Sequence, residues 1–447
     1  MFQTTRGAIN LKRSYRRLIF AGLPVSLLTT VITGCGTSNA NVTAGQGGKV
    51  TITFMETMVS GTQKPALQAL VTKFEASHKN ITVKLIGEPD FNTLHASEEA
   101  AIAAGSPPTM AQVYMDWAAT YVKNGLLAPL GPYINGTNGL SKSEQSAFYP
   151  AIWDSLKLSG GKIWAMPFNT ADLVMYYNKT WLSRLNDPVP TTLQQFQKTA
   201  ASAVSASSNT WGLTIDPGST SGPQDGTFVF VAVLRALGGH LVKDGHPTFN
   251  TPQAQTALRY IQQLYQSGIL KTGTNYPGSA ALEAGRSLFQ LGTSAAYPYN
   301  VQGIGNRFAM AVAPFPNGPG NRPGNVMRGS NIVLFSNASS VEKNAAWTFM
   351  KWVTAPKQVA YWSEQTGYIP ISKTATTLMR PFIATHPIFQ ATIASLPDAK
   401  EIPPIPGMTQ ALGSLGNAIQ EVLTAHMPIS QALRTAQSAA VSEVAKH

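Results

Sequence analysis

The sequence of 447 residues contains a single cysteine, Cys35. One thiol cannot form an intrachain disulfide, so the fold has to be stabilised by its hydrophobic core. The sequence also lacks internal repeats, and it has only one long apolar run. A chain of this length is enough for two domains of ordinary size, each with a core of its own.

Charged residues are scarce as well: they make up 12% of the chain, about half of the usual quarter. Acidic residues are the scarcer kind, with 21 Asp and Glu against 33 Lys and Arg. One interpretation is a surface exposed to an acidic medium, in which carboxylates are protonated and add little solubility. The basic residues are scattered rather than clustered with aromatic residues, which argues against a nucleic-acid partner.

The one long apolar run covers residues 18–31 and follows a basic segment that contains Lys12, Arg13, Arg16 and Arg17. The run is too short to span a bilayer comfortably and ends in small residues, which predicts a cleavable export signal over residues 1–34. This signal holds five basic residues and no acidic one, so its removal lowers the formal net charge from +12 to +7. The mature protein is therefore expected to be exported and only moderately basic.

The residues around Cys35, Ile32-Thr33-Gly34-Cys35, resemble the bacterial lipoprotein box, whose cysteine is acylated and becomes the first residue. We therefore expect Cys35 to carry lipid, since two or three acyl chains together give a stable anchor. The alternative is a buried, inert cysteine, but the polar residues that follow offer it no core. Residues 35–48 are uncharged and rich in Gly, which predicts a flexible tether to the outer face of the cell membrane.

A strand-helix-strand unit follows the tether. Residues 49–56 alternate like a strand, residues 64–78 have apolar side chains at helical spacing, and residues 80–87 read as a second strand. A helix over 95–104 and a third strand over 109–114 come next. This order favours a parallel sheet, in which ligands meet the carboxyl ends of the strands. The residues just after the three strands are Glu56 and Thr57, Glu88 to Phe91, and Met115 to Trp117.

Two strand-like runs lie in residues 162–179 and are joined by the polar residues 169–172. This joint fits either a hairpin or a crossing between two lobes. Further along, the patterns predict a strand over 211–215 and helices over 193–203, 228–237 and 251–266.

Eight segments together resemble a known family, although none of them alone is specific to it. They are 111–114 with 125–127, 167–179 (PFNTADLVMYYNK), 249–252, 283–289, 313–318 (APFPNG), 345–352, 366–372 and 402–437. Their order and spacing resemble the extracellular solute-binding proteins of bacterial sugar-type ABC importers, the family of the maltose-binding and glycerol-phosphate-ester-binding proteins.

This resemblance implies an α/β fold that is periplasmic-binding-protein-like, with two α/β lobes, a central ligand cleft and hinge crossings near 169–172 and 328–331. The implied N-terminal lobe comprises 49–170 and 331–378, and the C-terminal lobe comprises 171–330 and 379–447. The implied function is the capture of a carbohydrate, most simply a neutral oligosaccharide, by lobe closure. A monomeric binder of this kind needs no cofactor, metal or catalytic residue, and its partners are the ligand, the membrane and the permease subunits.

A sugar site needs polar side chains around the edge of the ring and aromatic side chains against its faces. We select candidate ligand residues by their position: directly after a strand, on a predicted crossing, or in a segment that resembles the family. They are Glu88, Phe91, Met115, Asp116, Trp117, Asn169, Thr170, Asp172, Thr293, Ser294, Tyr297, Arg328, Gly329 and Tyr368. Each also has a purely structural alternative, such as a helix cap, a turn, a core aromatic or a surface arginine.

The alternative ligand is a glycerol-phosphate ester. Phe91 stands where those relatives have a tyrosine, Met115 where they have an acidic residue, and Leu412 where they have the arginine that binds phosphate. Without a charged partner a phosphate in a closed cleft is costly, so this ligand is disfavoured unless Arg328 takes that role.

Enzyme classes find little support in the sequence. The seven histidines show no metal-ligand spacing, and neither a Gly-x-Ser-x-Gly elbow nor a phosphate-binding Gly-Lys-Ser/Thr loop occurs. The competing enzyme class is a secreted glycoside hydrolase, which needs only two carboxylates across a cleft. Candidates for that pair are Glu56, Glu88, Asp90, Asp116 and Asp172. A third class is a structural adhesion lipoprotein. We predict a binding protein rather than an enzyme.

Overall fold

The fold is that of a computed structural model, which describes residues 48–218 and 225–446. Cys35, the predicted signal 1–34 and the predicted tether up to residue 47 lie outside the described residues. The described part of the chain belongs to a single compact unit.

The strands are β1 (Val50–Glu56), β2 (Ile81–Gly87), β3 (Met110–Val113), β4 (Ala165–Asn178), β5 (Leu213–Ile215), β6 (Val242–Lys243), β7 (His246–Pro247), β8 (Leu270–Thr272), β9 (Phe289–Thr293), β10 (Met310–Pro314), β11 (Val326–Leu334) and β12 (Lys400–Glu401).

The helices of the first half are α1 (Gln63–Ser77), α2 (Phe91–Ala103), α3 (Met115–Lys123), α4 (Gly131–Ile134), α5 (Lys142–Ala147), α6 (Pro150–Ser155), α7 (Lys179–Leu185), α8 (Leu193–Ala201), α9 (Asp225–Ala236) and α10 (Pro252–Gln266). Those of the second half are α11 (Pro277–Glu283), α12 (Tyr297–Ile304), α13 (Ser340–Val353), α14 (Pro356–Thr366), α15 (Lys373–Leu378), α16 (Arg380–Thr385), α17 (Pro387–Ser395), α18 (Met408–Thr424) and α19 (Ile429–Lys446).

The predicted strand-helix-strand unit is present, and β1 pairs with both β2 and β3 in parallel. One boundary was wrong: α2 begins at Phe91, four residues before the predicted start at residue 95. The cause is local, because the carboxylate of Asp90 accepts a hydrogen bond of 2.8 Å from the backbone N–H of Thr93 and caps the helix there.

The main sheet has the order β10-β4-β11-β3-β1-β2, with β12 added to β11 and β9 added to β4. The two predicted strand-like runs around residues 169–172 are one strand, β4, and all of its 14 residues are buried. Its first part pairs with β11 and its last part with β9 and β10. The strand therefore continues from one part of the sheet into the other rather than turning back as a hairpin.

The two largest of the four hydrophobic clusters among the described residues correspond to two α/β lobes. One contains Phe54 and Phe74 from the β1–α1 unit together with Phe349 from α13. The other contains Phe196 and Phe289 together with apolar residues of α18 and α19. The exact lobe boundaries, 49–170 with 331–378 and 171–330 with 379–447, stay a prediction.

Strands β4 and β11 bring the two predicted crossings side by side. They pair antiparallel, with Arg328 opposite Ala171 and Gly329 opposite Thr170. At Gly329 an added Cβ would lie 2.6 Å from the carbonyl oxygen of Asn169. A glycine is therefore required here so that the two strands can approach each other closely.

Two searches of the described residues gave negative results. No helix within 48–218 and 225–446 combines the length and apolar character needed to cross a bilayer. The same residues contain no group of three or more His, Cys, Asp or Glu side chains arranged to hold a metal ion.

Candidate functional site

The carboxyl ends of β1 and β3 meet β11 at a row of buried polar groups. The backbone N–H of Thr57 donates a 3.0 Å hydrogen bond to the side chain of Gln112, which in turn donates a 2.6 Å hydrogen bond to Ser330. Beside them Glu56 is buried at the end of β1 and accepts from the backbone N–H of Met58. Burial raises the pKa of Glu56 to about 7, although that hydrogen bond and the charge of Lys64 act in the opposite direction.

A charged cluster lies where β3 leads into α3. Nη2 of Arg328 is 3.8 Å from Oδ1 of Asp116, and the two side chains are only 16% and 4% exposed. Burial acts to lower the pKa of Arg328, but the neighbouring Asp116, Tyr114 and Glu401 outweigh it, so the pKa is raised. The arginine is therefore a half-buried cation whose charge is already paired within the protein.

Glu401 on β12 is the third ionisable group of this cluster. Its pKa is raised to about 8, first by burial and also by Asp116, against the opposing charge of Arg328. At neutral pH Glu401 is therefore largely protonated beside the pair that Arg328 forms with Asp116.

Two helices from different parts of the chain are joined at this cluster. Nε1 of Trp117 on α3 donates a 2.8 Å hydrogen bond to the hydroxyl of Thr409 on α18. That hydroxyl donates in turn to the carboxylate of Asp116. Because α18 belongs to the second core cluster, these bonds connect the two lobes directly.

Four tyrosines converge on the same region from four separate segments: Tyr114 after β3, Tyr276 before α11, Tyr299 on α12 and Tyr368 after α14. The pKa of Tyr368 is raised, chiefly by burial and then by Tyr114, Tyr299 and Tyr276. The pKa of Tyr114 is raised to about 12, chiefly by burial. The region thus combines aromatic faces with phenolic hydroxyls, both of which suit a polyhydroxylated ligand.

Tyr276 has an unusual backbone conformation, and Tyr299 packs against the loop after β1. Tyr276 has a left-handed conformation with φ of 56° and is 56% exposed. A tyrosine rarely adopts this conformation, and such positions concentrate at ligand sites. The Tyr299 ring lies against Gly61 in the loop after β1, where an added Cβ would come within 2.6 Å of the tyrosine hydroxyl.

Among the predicted site residues, Asp116, Trp117, Arg328 and Tyr368 belong to this region. Phe91 is half-buried and its ring stacks on Tyr114 at 4.6 Å. Trp117 is 3% exposed and stacks on His95 at 4.2 Å, so its ring is used within the protein.

Other predicted residues lie in buried networks. The side chain of Asn169 accepts from Trp362 and donates to the sulfur of Met58. Asp172 accepts a 2.7 Å hydrogen bond from Ser395, and its backbone N–H donates to Ser294. Burial raises the pKa of Asp172 to about 6, although hydrogen bonds from Ser395 and its neighbours act against this.

The remaining predicted residues are spread along the same strand ends. Met115 is a core residue, Thr170 is buried, and Glu88 is half-buried directly after β2. The Thr293 hydroxyl accepts from the backbone N–H of Ala295, and Tyr297 is half-buried at the start of α12. A ligand-binding role for the fourteen residues stays a prediction.

Sequence reasoning missed Tyr114, Tyr276, Tyr299, Glu401 and Thr409 as candidate site residues. Asn275-Tyr276-Pro277 was a usable signal, since a turn sequence that carries an aromatic side chain is a common way to present a ring to a ligand. No local pattern distinguishes Glu401 or Thr409, because their partners lie far away in the sequence.

Comparison with known proteins gives a consistent result. The model of a family described as bacterial extracellular solute-binding protein matches residues 69–391. The maltotriose-binding protein of Pyrococcus abyssi is 23% identical over 365 residues, which cover 80% of this chain and 74% of that protein.

Two solved structures share the fold. The GacH receptor of Streptomyces glaucescens, solved unliganded and with acarbose, matches with a TM-score of 0.76 at 21% identity, over 89% of this chain and 99% of the other. UgpB from Mycobacterium tuberculosis, solved with glycerophosphocholine, matches with a TM-score of 0.78 at 17% identity and the same coverage. The predicted fold class, two α/β lobes around a cleft, is confirmed.

Proposed function

Because this chain belongs to the bacterial extracellular solute-binding protein family, we propose that it captures a neutral oligosaccharide between its lobes and delivers it to the permease subunits of an ABC importer. The observation that carries this proposal is the convergence of Tyr114, Tyr276, Tyr299 and Tyr368 on one region between the two lobes. Aromatic faces bind the C–H faces of a sugar ring, while hydroxyls and carboxylates bind its edge.

Closure follows from the placement of the groups on different elements. Tyr114 and Asp116 follow β3, whereas Tyr299 and Thr409 lie on α12 and α18. A ligand that contacts both sets binds the closed state more tightly than the open one, and it therefore shifts the population towards closure. The permease would then distinguish the closed, loaded protein from the open one.

A neutral ligand is favoured over a phosphate ester by the charges at the site. Arg328 is already paired with Asp116, and Glu401 lies next to both. An anion at this position would face an arginine whose charge is already paired with Asp116. Leu412 is a buried residue of α18. It stands at the position where the glycerol-phosphate-ester-binding proteins are expected to have the arginine that binds phosphate. A glycerol-phosphate ester is the second candidate, since relatives of both ligand classes match this chain.

The lipid anchor at Cys35 is part of the proposal. After cleavage behind residue 34, an acylated Cys35 would hold the monomeric protein at the outer face of the membrane, with residues 36–48 as its tether. A tethered binder remains close to its importer, and the export signal and the family both agree with an extracellular position.

A thermal-shift screen tests the proposed function. Purified residues 36–447 are heated with mono- and disaccharides, maltodextrins and glycerophosphodiesters. A ligand at about 100 times its Kd is expected to add about 2.7 kcal/mol of stability. Stabilisation by a saccharide supports the proposal, stabilisation by glycerophosphodiesters alone selects the second candidate, and no stabilisation by any compound contradicts both.

The glycoside hydrolase alternative is tested separately. The protein is incubated at catalytic concentration with the same oligosaccharides, and new reducing ends are measured. We expect no new reducing ends. Multiple turnovers per protein molecule would contradict the binding-protein proposal and identify the protein as an enzyme. The homologous proteins are binding proteins, which supports this expectation.

A further inference from the structure

Lysines that are scattered in the sequence come together at the amino ends of β1 and β2. Lys49 directly precedes β1, and Lys79 lies just before β2. The two strands start side by side: Val50 pairs with Ile81, and its backbone N–H donates a 2.8 Å hydrogen bond to the carbonyl of Asn80. Both lysines are exposed, so two cations lie near each other at this end of the sheet.

Lys73 and Lys357 lie at the same end, on helices that pack beside these strands. The carboxyl end of α1 leads into β2 through a short turn, and Lys73 lies near that end of the helix. Its Nζ is 4.4 Å from the ring centre of Tyr361 on α14. The start of α14 is held there too, because Trp352, shortly before this helix, packs at 5.5 Å against Phe74 of α1. Lys357 is the second residue of α14, and both lysines are exposed.

The acidic residues around the β1–α1–β2 unit are distributed differently. Glu56 ends β1, and Glu88 and Asp90 follow β2. All three therefore lie at the carboxyl ends of the strands, where Lys64 is a neighbouring cation of Glu56. Glu75 on α1 is nearer to the lysines in the sequence, and its carboxylate accepts a 2.8 Å hydrogen bond from the backbone of β2. The unit is thus basic at the amino ends of its strands and acidic at the carboxyl ends, beside the candidate site.

The chain enters the described residues at this basic end, since Gly48 is followed directly by Lys49. The proposed tether, residues 36–48, links this point to the proposed lipid on Cys35. A flexible segment of this length has a root-mean-square reach of about 20 Å. The anchor would therefore hold the basic end, rather than the acidic end, near the lipid headgroups.

We propose that Lys49, Lys73, Lys79 and Lys357 form a surface that docks on anionic phospholipid headgroups of the membrane in which Cys35 is anchored. The inference rests on the lipid anchor, which is part of the proposed function. Each lysine next to an anionic surface strengthens attachment about fivefold. Attachment by the lysines alone is weak and salt-sensitive, so the acyl chains remain the main anchor. Because the candidate site lies at the other end of β1, the docked protein keeps this site open to the medium.

The test measures attachment by the lysines alone, on the mature chain with Cys35→Ser, which has no acyl chains. Vesicles of equal parts phosphatidylglycerol and phosphatidylcholine are compared with vesicles of phosphatidylcholine. Bound protein is measured by sedimentation at low and at high salt. Lys49→Gln, Lys79→Gln and Lys357→Gln are combined in one variant, which keeps Lys73 because its ammonium group contacts a ring.

A second triple variant is the matched control, because it removes the same charge elsewhere. It combines Lys142→Gln at the start of α5, Lys198→Gln on α8 and Lys243→Gln on β6, all at exposed positions. Both variants therefore have the same net charge. A difference between them reports the place of the lysines and not the charge of the whole protein.

The unsubstituted surface is expected to bind the mixed vesicles at low salt, to be released at high salt, and not to bind phosphatidylcholine alone. The variant at Lys49, Lys79 and Lys357 should bind at least tenfold more weakly, and the control variant should stay within about twofold of the unsubstituted protein. Equal weakening in both variants would overturn the inference, as would absence of binding to the mixed vesicles. Binding to soluble polyphosphate but not to vesicles would replace the lipid by an anionic polymer and would overturn it as well.

The same three proteins are also heated with the saccharides of the thermal-shift screen. A saccharide that stabilises all three equally shows that the proposed function stands, whatever the vesicles show. Absence of stabilisation by any compound, together with the expected vesicle binding, would contradict the proposed function and leave the docking surface in place.

Discussion

Nε1 of Trp117 donates a 2.8 Å hydrogen bond to the hydroxyl of Thr409, although the two residues are 292 positions apart in the sequence. The first belongs to the helix after β3, the second to a C-terminal helix of the other lobe. The same hydroxyl donates to Asp116, so one threonine satisfies two groups of the opposite lobe. The indole that the sequence suggests as a platform for a sugar is used here to join the lobes.

Replacing Thr409 by valine keeps the shape of the side chain but removes its hydroxyl. Trp117 then loses its acceptor and Asp116 loses a donor, which is expected to lower the free energy of unfolding by about 1–3 kcal/mol. Because the lost bonds join the lobes, the ligand-free protein should also open, with a larger radius of gyration in small-angle X-ray scattering.

Thr424→Val is the matched control for this substitution. Thr424 lies at the exposed end of the same helix, where its hydroxyl donates only to the carbonyl of Gln420. We expect it to change neither stability nor dimensions measurably. Equal effects of the two valine substitutions would show that Thr409 does not hold the lobes together.

Gly329→Ala is expected to be destabilising by about 1–3 kcal/mol, since the new methyl group would lie 2.6 Å from the carbonyl oxygen of Asn169 on β4. The two strands would have to separate at the point where both predicted crossings meet. Urea denaturation measures the loss. Gly413→Ala on α18 is the control: its surroundings are open, and alanine in a helix is expected to add about 0.5–1 kcal/mol. An unchanged free energy of unfolding in Gly329→Ala would contradict the close approach of β4 and β11 at this residue.

The stability of the protein should fall as the pH rises from about 5 to about 8. Burial raises the pKa of Asp172 to about 6 and that of Glu56 to about 7, and the pKa of Glu98 is raised as well. In the unfolded chain these groups titrate near pH 4, so over this range the folded state binds more protons than the unfolded state. The extra protons bound by the folded state contribute their full stabilisation below about pH 4. This stabilisation is lost as the pH rises through the raised pKa values of the folded state.

We expect the free energy of unfolding at pH 5 to exceed that at pH 8 by about 2 kcal/mol or more, measured by urea denaturation in one buffer system. Asp172→Asn should flatten the part of the profile below pH 6, whereas the exposed Asp154→Asn should not. Greater stability at pH 8 than at pH 5 would contradict the assignment. A protein most stable in acid agrees with the low surface charge noted in the sequence.

Cys35→Ser should release the protein from the membrane without affecting ligand binding. The substitution removes the thiol that is proposed to carry the acyl chains. Fractionation of cells into membrane and soluble material measures the release, and calorimetric titration of the released protein measures binding. Loss of binding together with release would assign Cys35 a structural role.

The sequence predicts much of the local structure because local signals decide it. The β1–α1–β2 unit lies within one residue of its predicted bounds, since alternation and helical spacing are strong there. The start of α2 was misplaced because the cap at Asp90 depends on a single side chain. The joint within residues 169–172 was ambiguous for a similar reason: Asn and Asp favour turns, and only pairing with β11, β9 and β10 keeps β4 extended.

The site is harder to predict than the fold because its contacts are distant in sequence. Asp116 and Arg328 were both candidates, but nothing local indicates that they pair with each other. Asn169 was a candidate ligand residue with a turn as its alternative, and nothing local indicates that its amide bonds to Trp362 and Met58. Glu401 and Thr409 acquire their significance only from the elements that tertiary packing places beside them.

The central claim, that a saccharide binds between the lobes, is tested most directly by calorimetric titration of the best saccharide from the thermal-shift screen into the wild type and Tyr368→Ala. Tyr368 lies among three other tyrosines, and its loss should weaken binding about tenfold or more. We predict saturable binding of one ligand per wild-type chain and this weakening in the variant. No saturable binding to the wild type, or equal affinity in both proteins, would contradict the account.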